Sequence, residues 1–158
     1  MREATIKGPD DGEMFYAGGD RYRFLAEVGD TDSTYGLIEA IVPPGGGPPP
    51  HSHSREEEGF YVVEGEVTVQ VNGREVVAGP GSFVNMPKGS VHSFRNNTQA
   101  TAKMLILLAP GGMEQMFRET GTVATDAGAP IPPLGDAERE RMKAAFPKYG
   151  IEFPEGDH

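Results

Sequence analysis

Apolar and polar residues alternate over short stretches through the middle of this chain. Val67, Val69 and Val71 take turns with Thr68 and Gln70, the period-two mark of a strand with one buried face. Asn72-Gly73 follows, a strong signal for a tight hairpin, because a type I′ turn needs positive φ at both central residues. The same reading predicts strands over 21–28, 35–42, 60–63, 66–71, 74–78, 82–86, 91–95 and 101–108. Gly29-Asp30, Gly79-Pro80-Gly81 and Pro87-Lys88-Gly89 are the turns between them. Strands this short and this regularly spaced predict an all-β sandwich or barrel.

The two ends read differently. Residues 1–19 are polar and rich in Gly and Asp, a loose arm with one short strand near Met14 to Tyr16. Residues 20–110 carry the strands, and 111–158 form a C-terminal appendage. There Met113, Met116 and Phe117 stand at helical spacing before Gly121, so one short helix is expected. An Ala/Pro/Gly-rich strap over 122–135 leads to a second helix, 137–145, capped by Asp136 and ended by Pro147. Its stripe of Met142, Ala145, Phe146 and Tyr149 reads as core packing. The run from Pro43 to Pro50 looks like a linker, but strands on both sides favour a rigid loop.

Composition narrows the class. With 158 residues the chain fits one domain with small additions. The 22 glycines and 14 prolines show no period, which excludes collagen and fits a turn-rich β protein. A net charge of −10 argues against nucleic acid and anionic membrane surfaces as partners. There is no cysteine, hence no disulfide and no thiolate ligand or nucleophile. The first 20 residues show no signal-peptide pattern, and no apolar run is long enough to span a bilayer. A cytoplasmic protein is the expectation.

Chemistry concentrates in three of the four histidines; the fourth is the terminal His158. His51 and His53 are two apart, so on a strand both imidazoles reach one point. Glu58 would face the other way on a continuous strand, so the polar stretch 54–57 must turn or bulge to bring it inward. His92 follows the Pro87-Lys88-Gly89 turn and enters from another direction. Three imidazoles and a carboxylate suit a divalent transition metal. Bland readings stand beside each: two solvent-facing histidines, a solvated acidic turn at Glu56 to Glu58, a surface His92.

The joint pattern resembles the cupin superfamily at both of its signature motifs. Gly45, His51, His53, Glu58 and Gly65 match the first; Gly81, Pro87, Gly89, His92 and Asn96 match the second. The wider texture resembles the single-domain quercetin 2,3-dioxygenase-like cupins. That resemblance implies a double-stranded β-helix, or jelly-roll barrel, with a short C-terminal helical appendage. It implies one divalent ion (Fe, Mn, Co, Ni, Cu or Zn) held by His51, His53, Glu58 and His92, and a homodimer. Asn96 is expected at a corner rather than on the metal.

The implied activity is a dioxygenase acting on a small hydroxylated aromatic or enolic substrate, with Glu58 also taking the hydroxyl proton. By alternation Phe60 and Val62 follow Glu58 inward, and Phe94 follows His92. Met113, Met116 and Phe117 would roof the pocket, unless these side chains are ordinary core. The alternatives are a metal-dependent isomerase, lyase or hydrolase, and a small-molecule-binding protein without catalysis.

Overall fold

The computed structural model describes residues 1–154; His158 lies outside the described residues. The chain runs β1 (Met14–Ala17), β2 (Asp20–Ala26), α1 (Val28–Thr31), β3 (Gly36–Val42), β4 (Ser52–His53), β5 (Glu57–Glu64), β6 (Val67–Val71), β7 (Arg74–Ala78), β8 (Phe83–Met86), β9 (His92–Arg95) and β10 (Ala102–Ala109). The C-terminal part holds α2 (Gln115–Thr120), β11 (Thr122–Ala124), α3 (Asp136–Ala145), a 3₁₀ turn (Phe146–Tyr149) and β12 (Ile151–Glu152).

All strand pairings are antiparallel. One sheet has the order β11-β1-β2-β3-β10-β5-β8; a second has the order β7-β6-β9; β12 pairs with β4. A bridge between His51 and His92 joins the β4 segment to β9, so the small sheets run on into each other. The result is the expected jelly roll, built as two facing sheets rather than one closed ring of hydrogen bonds. Strict alternation fills the space between them. Tyr22, Phe24 and Ala26 of β2, Ile38, Ala40 and Val42 of β3, and Met104, Ile106 and Leu108 of β10 all point inward and are buried. Val67 and Val69 meet them from the second sheet.

Corners fall where the turn chemistry put them. Asn72 and Gly73 both have positive φ, 49° and 78°, joining β6 to β7. Asn96 is fully buried: its Nδ2 donates to the Val42 and Ala100 carbonyls at 3.0 and 2.7 Å, and its Oδ1 accepts from the Thr98 amide and hydroxyl. The Pro-rich loop is pinned beside it, with the Gly45 amide on the Asn96 carbonyl and the Asn96 amide on the Gly46 carbonyl. At Gly47 (φ +123°) a Cβ would lie 2.0 Å from the Phe94 carbonyl oxygen, so only glycine permits this close approach.

Three local expectations are corrected. The stretch read as a turn at Gly29-Asp30 lies within α1, Val28–Thr31. Glu27 and Asp30 make it helical, because the Glu27 amide donates to Asp30 Oδ2 at 3.0 Å while the Asp30 amide donates to the Glu27 carbonyl. Gly135, not Asp136, occupies the cap of α3; Asp136 and Glu138 sit in its first turn, where negative charge suits the helix dipole. The strap is not wholly irregular, since 122–124 forms β11 against β1.

Candidate metal centre and its cavity

Backbone pairing brings the two histidine segments together. The His51 amide donates to the His92 carbonyl at 3.0 Å, and the His92 amide returns the bond at 2.8 Å. His53 is set opposite Ile151 of β12. The chain then bends at 54–55, held from outside: the Ser54 amide donates to the Gly150 carbonyl at 2.9 Å and the Arg55 guanidinium to the Lys148 carbonyl at 2.8 Å. That bend reverses the facing of the next residues, and Glu58 enters from β5, paired with Met86 on one side and Leu108 on the other.

His51, His53, Glu58 and His92 each offer a ligand atom within 4.8 Å of the others. Glu58 is 4% exposed, His53 3% and His92 2%. Each imidazole has its Nδ1 occupied. His51 Nδ1 lies 2.8 Å from the Pro49 carbonyl and His92 Nδ1 lies 3.1 Å from the Ser90 carbonyl. Carbonyl oxygens only accept, so these Nδ1 atoms carry a proton and leave Nε2 as the ring atom turned to the cluster; on His92 it lies 3.0 Å from Glu58 Oε1. His53 Nδ1 is 3.1 Å from Glu56 Oε1. Acceptors behind the ring fix tautomer and orientation in metal-binding histidines.

The inner faces fit a cation. His53 Nε2 is buried with no hydrogen-bond partner among the described residues. It stands 3.4 Å from Glu58 Oε2, and His92 Nε2 stands 3.0 Å from Glu58 Oε1. Contacts this short between an imidazole nitrogen and a carboxylate oxygen are favourable only with a positive charge between them, a proton on the ring or a divalent ion in its place. Burial pushes the His51 imidazole down to about 4, keeping it neutral. Burial works against a charged His53, but the Glu56 hydrogen bond and the Glu58 and Glu56 charges outweigh it and raise its pKa. Burial would raise Glu58, yet the His92 hydrogen bond and the neighbouring imidazoles hold it below the usual glutamate value.

A cavity of about 320 Å³ opens onto His51, His53 and Glu58. Phe94, Met113, Met116 and Phe117 line it, as do Met142 and Phe146 from the C-terminal segment. Phe60 and Val62 do not. They face inward, but deeper: the Phe60 ring packs edge-on against Phe94 at 5.2 Å and His92 at 6.1 Å, and both side chains are 1% exposed. Alternation along a strand gives the side a residue faces, not its depth.

Four contributors lie outside the pattern read from sequence. Glu56, one of three consecutive acids, is 4% exposed and backs His53 rather than facing solvent. Asp20 and Tyr22 line the cavity from β2. Met142, read as core, looks into it. None of these was marked as a site residue by the sequence pattern; Asp20 falls just before the strand expected over 21–28.

Comparison with known proteins places this geometry. Residues 38–118 match the family model described as cupin domain. Quercetin 2,3-dioxygenase of Bacillus subtilis (strain 168) is 32% identical over 111 residues, covering 70% of this chain and 33% of that protein. The chain thus spans about a third of the length of that relative. The tetracenomycin polyketide synthase protein TcmJ of Streptomyces glaucescens is 27% identical over 128 residues, 79% of this chain and 73% of that one. Among solved structures, KdgF from Halomonas sp. superposes with a TM-score of 0.62 at 17% identity, covering 73% of this chain and 99% of its own, a likeness of fold.

Proposed function

This chain belongs to the cupin family, and from that premise we propose that it is a metal-dependent enzyme that oxidises a small hydroxylated aromatic or enolic substrate with dioxygen. The observation that carries the reading is the set of four inward-facing donors, His51, His53, Glu58 and His92, beside a largely apolar cavity. These residues would hold the ion, with Pro49, Glu56 and Ser90 fixing the rings from behind. A bound divalent metal supplies Lewis acidity to a substrate oxygen and, when redox-active, a route for electrons. The nitrogen and oxygen donor set suits Fe(II), Mn, Co, Ni, Cu(II) or Zn.

The walls do the rest. Phe94, Met113, Met116 and Phe117 present an apolar surface that suits a planar, weakly polar ring and keeps water from it. The quercetin 2,3-dioxygenase relative supports this substrate class. The polyketide synthase relative favours a second reading, in which the same metal polarises a carbonyl for a non-oxidative cyclisation, isomerisation or lyase step.

Oxygen uptake separates the two. Protein loaded in turn with each divalent ion is expected to consume oxygen with a member of a flavonol, catechol and diketone panel. Turnover that continues unchanged under argon would leave only the non-oxidative reading. A protein that takes up no divalent ion would remove both.

A further inference from the structure

A second polar pair lies in the same cavity, outside the four-residue cluster. Asp20 opens β2 and is 2% exposed. It is delivered by a two-glycine turn, Gly18-Gly19, with φ of +63° and +88°. One carboxyl oxygen, Oδ2, accepts a hydrogen bond from the Tyr22 hydroxyl at 3.2 Å. The other, Oδ1, has no hydrogen-bond partner among the described residues. The Tyr22 ring stacks on Phe117 at 3.9 Å, which fixes the phenol. Room for the carboxyl comes from Gly46, where a Cβ would fall 2.6 Å from Oδ1.

A half-satisfied carboxyl is costly in a core, because burial removes the water that would pair its free oxygen. The inward positions after it on β2 are Tyr22, Phe24 and Ala26, so packing gives no reason for an acid at this place. Its surroundings do. Asp20 and Tyr22 line the same cavity as His51, His53 and Glu58.

We propose that Asp20, oriented by Tyr22, is the base that takes the acidic proton from a substrate bearing a phenolic or enolic hydroxyl. The inference rests on the metal-dependent reading and moves the proton from Glu58, where sequence put it, to a side chain outside the cluster. Glu58 is already engaged by His53 and His92. In the step, the substrate O–H bond breaks and its electron pair stays on oxygen. The proton forms an O–H bond on the Asp20 carboxylate, which loses its charge and gives the proton back to product or solvent. Burial raises the Asp20 carboxyl to about 7, against a smaller opposing effect of the Tyr22 hydrogen bond. A base near the working pH transfers protons most effectively. The other charged groups around the pair are Glu58 from β5 and Glu138, Arg139 and Lys143 from α3, with His51 and His53 on the same cavity.

The test uses zinc-loaded protein under argon, titrated with 3-hydroxyflavone and with flavone, which lacks the hydroxyl. The long-wavelength band of the ionised flavonol reports proton removal without turnover. After rapid mixing, the rate at which wild type ionises 3-hydroxyflavone is expected to rise with pH through a midpoint set by loss of the Asp20 proton. Asp20→Asn should cut that rate at least tenfold with zinc content unchanged. Tyr22→Phe keeps the carboxyl but removes a bond that favours its charged form, so its midpoint should move to higher pH. Asp20→Asn that ionises the probe like wild type would overturn the inference and leave the metal reading standing; so would a Tyr22→Phe midpoint that does not move. Wild type that binds zinc but leaves the flavonol neutral overturns the inference as well. Wild type that fails to hold zinc overturns the parent reading.

Discussion

The histidine side of the cavity and the helix across from it are held in different ways. On the histidine side nearly every group is fixed twice, once through the backbone and once through the side chain. His51 and His92 exchange backbone hydrogen bonds, and each ring is tied by its Nδ1 to a carbonyl. His53 is paired to β12 and backed by Glu56. Helix α3 has one buried residue, Ala145. It is attached by the Glu138 carboxylate on the Gly18 amide at 2.6 Å and by Arg141 on the Thr120 carbonyl at 3.0 Å. Arg139 and Lys143, which line the cavity from α3, remain about half exposed. The difference teaches a division of labour. The side that must grip a small cation is preorganised, while the side that meets the rest of a ligand can be altered without disturbing it.

The comparison breaks most visibly at the cluster. His92→Ala removes one donor of four and leaves Glu58 short of a partner. Zinc affinity, measured by chelator competition, is expected to fall about 1,000-fold or more, beyond the 10–100-fold typical of groups behind a ligand. Unchanged affinity would show that His92 is not a ligand. Glu56→Gln keeps an acceptor for His53 Nδ1 but deletes the charge. Affinity should then fall about 10–100-fold with an unchanged fold, read by the same competition and by circular dichroism. The smallest effect belongs to α3. Glu138→Ala should lower stability by about 1 kcal/mol in urea titration and speed hydrogen exchange at the Gly18 amide. Zinc affinity should stay within about twofold; a larger loss would mean the two sides are coupled.

How much of this could be read beforehand depends on the range of the interaction. Val67, Val69 and Val71 announced a strand because alternation is local, and Asn72-Gly73 announced a hairpin because its φ values are demanded by two residues alone. His51, His53, Glu58 and His92 were legible as a set because each lies at a fixed offset from a turn-forming Gly or Pro. Glu56 was not, since burial of one acid among three depends on a bend held by Lys148 and Gly150, nearly a hundred residues away. Phe60 and Val62 faced inward as expected but lie outside the cavity lining, because alternation fixes a residue's side and not its depth. Asp20 needed the fold: only the β2 position beside Gly46 and Tyr22 reveals that it borders the cluster.

The pairing of β12 with β4 has a consequence for assembly. Ile151 lies opposite His53, and Glu152 opposite Ser52. A nascent chain emerging in order has all four donors available once His92 is out, yet the strand that braces the second of them, His53, is made some sixty residues later. The His53 side of the centre therefore gains its bracing strand only after residues 151–152 have been made.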